Sequence, residues 1–270
     1  MSGERGRDAE GARLMRIALF SDVHANLPAL ESVLADIAGA QVDATYHLGD
    51  LVGYAPWPNE VTAAVVASGI AGVSGNYDST VALAHNHCGC KYEDPVQEAQ
   101  SHESFAWTRA HVTEAARRAL GALPFRMDVR PLGGHMAGPK LVLVHGTPLS
   151  NVVYWTQDRS DDFGRKMAAA AGLVAGDAIA FGHTHVPWTR EVDGVRFVNT
   201  GSVGRPKDGD ARAGWVLMTW SAAHGWLVDH RRVEYDVERA ALGILASDLP
   251  PAFADFLRAG GTKRTHEPRA

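Results

Sequence analysis

Cysteine is scarce in this chain: Cys88 and Cys90 are its two, too few for the disulfide framework of a small secreted domain. Long hydrophobic runs are missing as well. The longest stretch of apolar residues plus glycine, Met167 to Gly176, breaks at Asp177, well short of the roughly 18 residues that a spanning helix needs. The opening Met-Ser-Gly-Glu-Arg-Gly-Arg-Asp mixes acids and bases and lacks the apolar centre of a signal peptide. Positive charge is not in excess either. With 26 Lys+Arg against 31 Asp+Glu the net charge is −5, which gives nucleic acid no electrostatic hold. A disordered acidic chain is excluded in turn, because 46% of the 270 residues are hydrophobic and can bury the core of one large domain or two small ones. The expected class is a soluble, cytoplasmic globular protein with neither a membrane nor a nucleic acid as partner. What the chain does have is histidine, 13 of them, and their positions direct the rest of the reading.

The pattern along the chain is strand, polar loop, helix, repeated. Arg16–Phe20 reads as a buried strand ending in Ser21-Asp22, followed by a helix with Asn26 as N-cap, Pro28 in its first turn and Leu27, Leu30, Val33, Leu34 and Ile37 on one face. A second strand at Ala44–Leu48 runs into Gly49-Asp50, a helix follows near Glu60–Ser68, and a third strand at Ile70–Val73 ends at Gly75-Asn76-Tyr77-Asp78. Such alternation predicts an α/β sheet with parallel pairing. Pro95 to Leu123 has helical spacing and is stopped by Pro124. Strands are then expected at Lys140–Val144 and Ala178–Phe181, with a helix at Asp162–Val174 between them. Beyond Pro187, short alternating segments at Trp188–Val192, Val195–Asn199, Trp215–Trp220 and Trp226–Tyr235 are separated by glycine turns and suggest an antiparallel run.

Five strand ends share one property, a metal-ligating or amide side chain beside a small residue. They are Asp22-Val23-His24, Gly49-Asp50, Gly75-Asn76, His145-Gly146 and Gly182-His183-Thr184-His185. In an α/β sheet, ligands bind outside the carboxyl ends of the strands, so these loops can converge on one crevice. Together they offer two carboxylates, four imidazoles and one amide carbonyl. That mixture suits Mn, Fe, Zn or Ni better than the oxygen-only shell of Ca or Mg. Seven side chains exceed what one ion needs but serve two ions if a carboxylate bridges them. Two such ions about 3.5–4 Å apart clamp the attacking and leaving oxygens of a phosphoryl displacement and lower the pKa of a shared water. Each piece alone has an ordinary structural explanation, a turn or a packed histidine. The five together, in order and all at strand ends, do not.

The ordered set Asp22-x-His24, Gly49-Asp50, Gly75-Asn76, His145 and Gly182-His183-x-His185 resembles the calcineurin-like metallophosphoesterase superfamily, over about Arg16 to Arg212. The segments Ser21–Asn26, His47–Tyr54 and Asn199–Gly204 look like a bacterial branch of small phosphodiesterases and phosphatases. The resemblance implies a four-layer α/β/β/α sandwich with two central mixed sheets. One domain is expected over 15–259 with a variable segment at about 79–124, while residues 1–14, polar and with little periodicity, read as a loose leader and the polar stretch 260–270 as a frayed tail. The resemblance also places one ion on Asp22, His24 and His185 and the other on Asn76, His145 and His183, with Asp50 bridging. Mn or Fe are the expected metals, Zn or Ni the alternatives. The expected activity is hydrolysis of a phosphodiester or nucleotide-type bond by in-line attack of a metal-bridging hydroxide. The alternatives are a phosphomonoesterase acting on phosphoproteins and a catalytically silent interaction module on the same sandwich.

One position departs from the family pattern. Many members carry His after the Gly-Asn pair to protonate the leaving group, and here that residue is Tyr77. With an unperturbed pKa near 10, tyrosine is the weaker acid at pH 7, so Tyr77 reads either as a poor proton donor or as packing beside the site. Asp50, Asn76 and His145 are the other residues expected to act in catalysis. Asn76 and Arg205 are candidates to touch substrate, Arg205 equally a surface charge. Asp78 is expected to orient a neighbouring histidine or to cap a helix. The cluster His85-Asn86-His87-Cys88-Gly89-Cys90 reads as an ordered loop with two reduced thiols, with a metal site, a redox pair or a cleft wall as the functional alternatives. Tyr154 and Trp155 are candidates for stacking on a base or for packing. Trp215, Trp220 and Trp226 suggest core or a homodimer surface.

Overall fold

The computed structural model describes residues 14–90, 94–130 and 139–261. In chain order its elements are β1 Met15–Phe20, α1 Leu27–Gly39, β2 Ala44–His47, α2 Pro58–Ser68, β3 Ala71–Gly72, α3 Asn76–Ala82, α4 Pro95–His111, α5 Glu114–Gly121, β4 Arg126–Val129, β5 Leu141–Val144, α6 Asp161–Ala171, β6 Ala178–Phe181, β7 Trp188–Val192, β8 Val195–Asn199, β9 Ala213–Ser221, β10 Gly225–Val233, α7 Val237–Leu245 and α8 Ala252–Arg258. Most of the expected leader and tail, 1–13 and 262–270, lies outside the described residues.

Two five-stranded mixed sheets carry the fold, in the orders β10-β9-β1-β2-β3 and β4-β5-β6-β8-β7. Three packed clusters define four layers. Alternate residues of β1 and β9, Ile17, Leu19, Val216 and Met218, meet Leu143, Ala178, Ala180 and Val198 between the sheets. Their neighbours Ala18, Phe20, Trp215 and Leu217 face the other way, into α1, α2, α5, α7 and α8. On the far side of the second sheet, Val142, Val144, Ile179 and Phe181 pack on Met167, Ala168 and Ala171 of α6. β5 and β6 are buried on both faces, which is why they read as unbroken apolar runs rather than alternating ones.

Local chemistry sets the element ends. Asn26 caps α1 by accepting from the Ala29 amide at 3.2 Å, with Pro28 in the first turn. The single helix expected over Pro95–Leu123 is two, because Val112 leaves the helical conformation and Thr113 caps α5, its hydroxyl accepting from the Ala116 amide. The expected antiparallel run is also two separate hairpins. β7 and β8 close the second sheet, whereas β9 and β10 extend the first, β9 lying antiparallel to β1. The alternating pattern identifies each strand but carries no information about which sheet it joins. Among the described residues no helix is long and apolar enough to cross a membrane.

Candidate metal centre

The parallel strands of the two sheets end along a common rim. Asp22 and His24 follow β1, Asp50 follows β2, Asn76 opens α3 after β3, His145 follows β5, and His183 and His185 follow β6. All seven are buried. Five of them hold positive φ angles that L residues seldom adopt: Asp22 at 54°, His24 at 49°, Asp50 at 54°, His183 at 65° and His185 at 63°. Backbone strain of this kind persists only where the surroundings over-determine it. Here the loops lock one another, with the Asp22 amide donating to Gly49 O (2.9 Å), His24 to Asp50 O (3.0 Å) and Gly182 to His145 O (2.8 Å). The contacts between loops are close enough to demand glycine. A Cβ on Gly75 would lie 2.0 Å from Asp50 Oδ1, and one on Gly182 would lie 2.3 Å from Asp22 Oδ2.

The ligating atoms fall into two groups, Asp22 with His24 and His185, and Asp50 with His145 and His183. In the first, His24 Nε2 and His185 Nε2 stand 3.1 Å apart, and Asp22 Oδ1 is 3.2 Å from His185 Nε2 and 3.7 Å from His24 Nε2. In the second, Asp50 Oδ2 lies 3.4 Å from His145 Nε2, which is also 3.1 Å from Asn76 Oδ1. The same Asp50 Oδ2 is 3.8 Å from His24 Nε2, so one carboxylate oxygen stands between the groups.

Hydrogen bonding on the outer side fixes which atoms face inward. His24 Nδ1 bonds Val52 O (3.0 Å), His185 Nδ1 bonds Arg205 O (2.6 Å) and His145 Nδ1 bonds Leu48 O (2.8 Å). A carbonyl only accepts, so Nδ1 carries the hydrogen and Nε2 is left to the centre. Asp22 Oδ2 is held by Ser21 Oγ (2.6 Å) and the His183 amide (3.0 Å), leaving Oδ1 to point inward. Asp22 Oδ1 and His183 Nε2 are buried with no hydrogen-bond partner. Buried orphans are costly, and converging nitrogen and oxygen donors of this kind are what a pair of divalent cations would satisfy. The residues present fit two such ions.

Protonation follows the same division. Burial holds the His24 and His183 imidazoles down at about 3, and keeps His185 well below its ordinary value. Neutral imidazole is the metal-binding form. At His145 burial also opposes the charge, but the Asp50 carboxylate outweighs it and lifts the group to about 10. An ion entering the second group therefore displaces a proton from His145.

The supporting residues separate into those expected and those that were not. The Asp78 carboxylate accepts from the amides of Asp50 (2.8 Å), Leu51 (2.8 Å) and Gly75 (2.9 Å), tying the β2 loop to the start of α3. Of the two expected roles, the capping one matches this geometry. Burial, then the nearby Asp50 charge, raises its carboxyl to about 7. Tyr77 is packed in the helical-side core, edge-on to His24 at 5.6 Å and against Phe105, so its ring fills space behind the site rather than facing the cleft. Its backbone amide donates to Asp50 Oδ1 at 2.8 Å. The segment Asn199–Gly204 buttresses Asp22, through Ser202 Oγ to Asp22 O (2.8 Å) and Gly204 N to the same oxygen (3.0 Å).

The Cys88–Cys90 loop is part of the cleft wall. Asn76 Nδ2 donates to Cys88 O (3.1 Å) and Cys90 Sγ (3.2 Å), which turns Asn76 Oδ1 toward His145. His85 and His87 are exposed and join no metal-binding group among the described residues. Tyr154 stacks on His183 with centroids 4.4 Å apart, while Trp155 is core, stacked on Phe181 at 4.5 Å. Trp215 and Trp226 are core too. Arg205 is not a surface charge. It is 8% exposed, its guanidinium 4.1 Å from the Tyr54 ring and 3.9 Å from that of Phe256. Sequence reasoning passed over Tyr54, Cys90 as a partner of Asn76, and Lys207, whose charge reaches His183 and His185. The Gly53-Tyr54 end of the second loop and the Arg-Pro-Lys spacing after Gly204 were the available signals.

Residues 15–222 match the calcineurin-like phosphoesterase superfamily domain. The chain is 26% identical over 263 residues to the uncharacterized protein MJ0912 of Methanocaldococcus jannaschii, covering 90% of this chain and 98% of that one. A crystal structure of a metallophosphoesterase from Sphaerobacter thermophilus superposes with a TM-score of 0.70 at 28% identity, covering 91% of this chain and 100% of the other. The hypothetical protein PH1004 from Pyrococcus horikoshii shares the fold at a TM-score of 0.76 and 21% identity, over 92% of this chain and 99% of its own.

Proposed function

Since the chain belongs to the calcineurin-like phosphoesterase superfamily, we propose that it is a phosphoesterase that holds two divalent metal ions in its paired groups and hydrolyses phosphodiester or nucleotide-type bonds. The observation that carries this reading is the position of Asp50 Oδ2, 3.8 Å from His24 Nε2 and 3.4 Å from His145 Nε2. A carboxylate oxygen so placed serves both groups at once. Asp22, His24 and His185 would hold one ion, and Asn76, His145 and His183 the other. Such a pair supplies charge neutralisation at phosphorus and a water activated near neutral pH for in-line attack.

The protein's own part is positioning. Three backbone carbonyls fix the imidazoles through Nδ1. The Cys88 carbonyl and Cys90 sulfur fix the Asn76 amide, and the Asp78 carboxylate, accepting from the Asp50 and Leu51 amides, fixes the loop that bears Asp50. With Tyr77 packed into the core, the position after Asn76 offers no histidine-like acid to the leaving group. This favours esters whose leaving group departs without a proton, such as aryl diesters and nucleotide anhydrides.

The test pairs elemental analysis with hydrolysis of bis(p-nitrophenyl) phosphate, an alkyl phosphate and a phosphopeptide, each with Mn, Fe, Zn or Ni. Two metal equivalents, with activity on the aryl diester above the other two substrates, is the expected result. Asp50→Asn should lose most activity and part of the metal. Full activity of that variant without added metal would overturn the reading.

A further inference from the structure

Two cations at the rim lack acidic partners among the described residues. Arg205 and Lys207 lie on the turn after β8, and that turn is bound to the metal-site loops. The Arg205 carbonyl accepts from His185 Nδ1 (2.6 Å), the Arg205 amide donates to Ser202 Oγ (2.8 Å), and the Lys207 amide donates to His185 O (3.3 Å). Aromatic faces clamp the guanidinium, with Tyr54 at 4.1 Å, Phe256 at 3.9 Å and Phe253 at 5.5 Å. Tyr54 in turn contacts His24 edge-on at 4.9 Å, which places the clamp next to the first metal-binding group. Among the described residues neither cation forms an ion pair. The acids nearest in sequence, Asp208 and Asp210, are turned to Arg232 and Arg212.

An arginine more than nine-tenths buried as a residue and unmatched by a carboxylate is unfavourable in a free protein. Aromatic faces offset only part of that cost. The local charge makes the case stronger. Two divalent ions would bring four positive charges against the two carboxylates Asp22 and Asp50, and Arg205 and Lys207 add two more on the same side. A simple diester, with a single negative charge, leaves most of this unmatched. A substrate with a second phosphate beside the scissile one brings a further negative charge and offsets more of it, and a planar guanidinium with an ammonium next to it suits phosphate oxygens.

We propose that Arg205 and Lys207 form a second anion-binding subsite that receives the phosphate adjacent to the scissile one, so that the chain prefers nucleotides joined through a diphosphate linkage to simple diesters. This rests on the phosphoesterase reading above and names its substrate class.

The test uses full-length, metal-loaded protein as wild type, Lys207→Met and Arg205→Met. For each, kcat/KM is measured on ADP-ribose, which has a diphosphate linkage, and on bis(p-nitrophenyl) phosphate. Melting temperature is followed with inorganic pyrophosphate or with methyl phosphate. Wild type should favour the diphosphate, and Lys207→Met should cut that preference by about tenfold or more, largely through KM. Pyrophosphate should raise the wild-type melting temperature more than methyl phosphate does, and Lys207→Met should abolish the difference. Arg205→Met also removes packing on Tyr54 and Phe256, so Lys207→Met decides. Equal losses on both substrates, or an unaltered preference, overturn the proposal while leaving the phosphoesterase reading intact. If wild type hydrolyses neither substrate with any metal, the phosphoesterase reading fails. The Lys207-dependent pyrophosphate shift then decides the subsite by itself.

Discussion

Gly75 offers the sharpest test of how the site is assembled. Its φ is −79°, open to any residue, so Gly75→Ala introduces no backbone strain and acts through space alone. The added Cβ would sit 2.0 Å from Asp50 Oδ1, 2.3 Å from Asp50 N and 2.7 Å from Asp50 Cγ, against an ordinary carbon contact of about 3.5 Å. Rotating Asp50 does not relieve this. Its backbone nitrogen is among the atoms struck, and Oδ1 is engaged by the Tyr77 amide at 2.8 Å. The β2 and β3 loops must therefore separate by about 1 Å, which stretches the bonds from Asp78 to the Asp50 and Gly75 amides. Overpacking of this kind costs about 1–3 kcal/mol, equivalent to a fall in melting temperature of roughly 2–12 °C for a chain this long. Displacing Asp50 by a similar distance should reduce kcat by about a hundredfold. Thermal melts, metal content and hydrolysis of bis(p-nitrophenyl) phosphate at saturating Mn would measure all three. A variant with wild-type kcat and an unchanged melting temperature would refute the idea that close approach of these loops places the bridging carboxylate.

Three more outcomes follow from the buried groups. In chelator-treated protein, His24 and His183 are depressed to about 3 and His47 to about 4. The unfolded chain binds more protons than the folded one between those values and 6.5, so stability should fall on acidification through this window, by up to about 1.4 kcal/mol per pH unit for each group. His145, raised to about 10, contributes stability that is complete below 6.5 and lost as pH rises toward 10. Urea midpoints across pH should thus peak near neutrality, and a midpoint that rises below pH 6 contradicts the assignment. Cys90→Ala removes the sulfur acceptor of Asn76 Nδ2 and keeps Cys88 O, and should weaken Mn binding by about tenfold, read by metal titration; unchanged affinity would show that the sulfur does not orient the amide. Trp155→Ala removes a ring packed among Phe181, Trp188 and Phe197 and should cost about 3–5 kcal/mol in denaturant unfolding, whereas a loss under 1 kcal/mol would mean that this cluster is not a core.

The ligand loops could be read in the sequence because each follows an apolar strand and four of the five carry a glycine beside the ligand, Gly49, Gly75, Gly146 and Gly182. β4 was not anticipated. Arg126-Met127-Asp128-Val129 alternates charge with apolar residues, and only its pairing with β5 makes it a strand. α7 and α8 pack on β9 and α1 through residues such as Ala240, Ile244 and Phe253, a face that short segments with few large side chains announce weakly. Within the site, the ligands were legible and their orienting partners were not. Leu48, Val52, Cys88 and Arg205 act through backbone carbonyls, and every residue type has one. Tyr77 departs from the family pattern in sequence, but only packing against Gly53 and Phe105 shows what the ring does instead.

Each metal-binding group draws on both sheets: Asp22 and His24 from the first with His185 from the second, and Asp50 from the first with His145 and His183 from the second. Ions seated there would work like rivets through two plates. Their occupancy would set how tightly the upper edge of the sandwich is clamped, so metal supply would govern mechanical resistance to parting of the sheets as well as chemistry, and a starved molecule would open first along that seam.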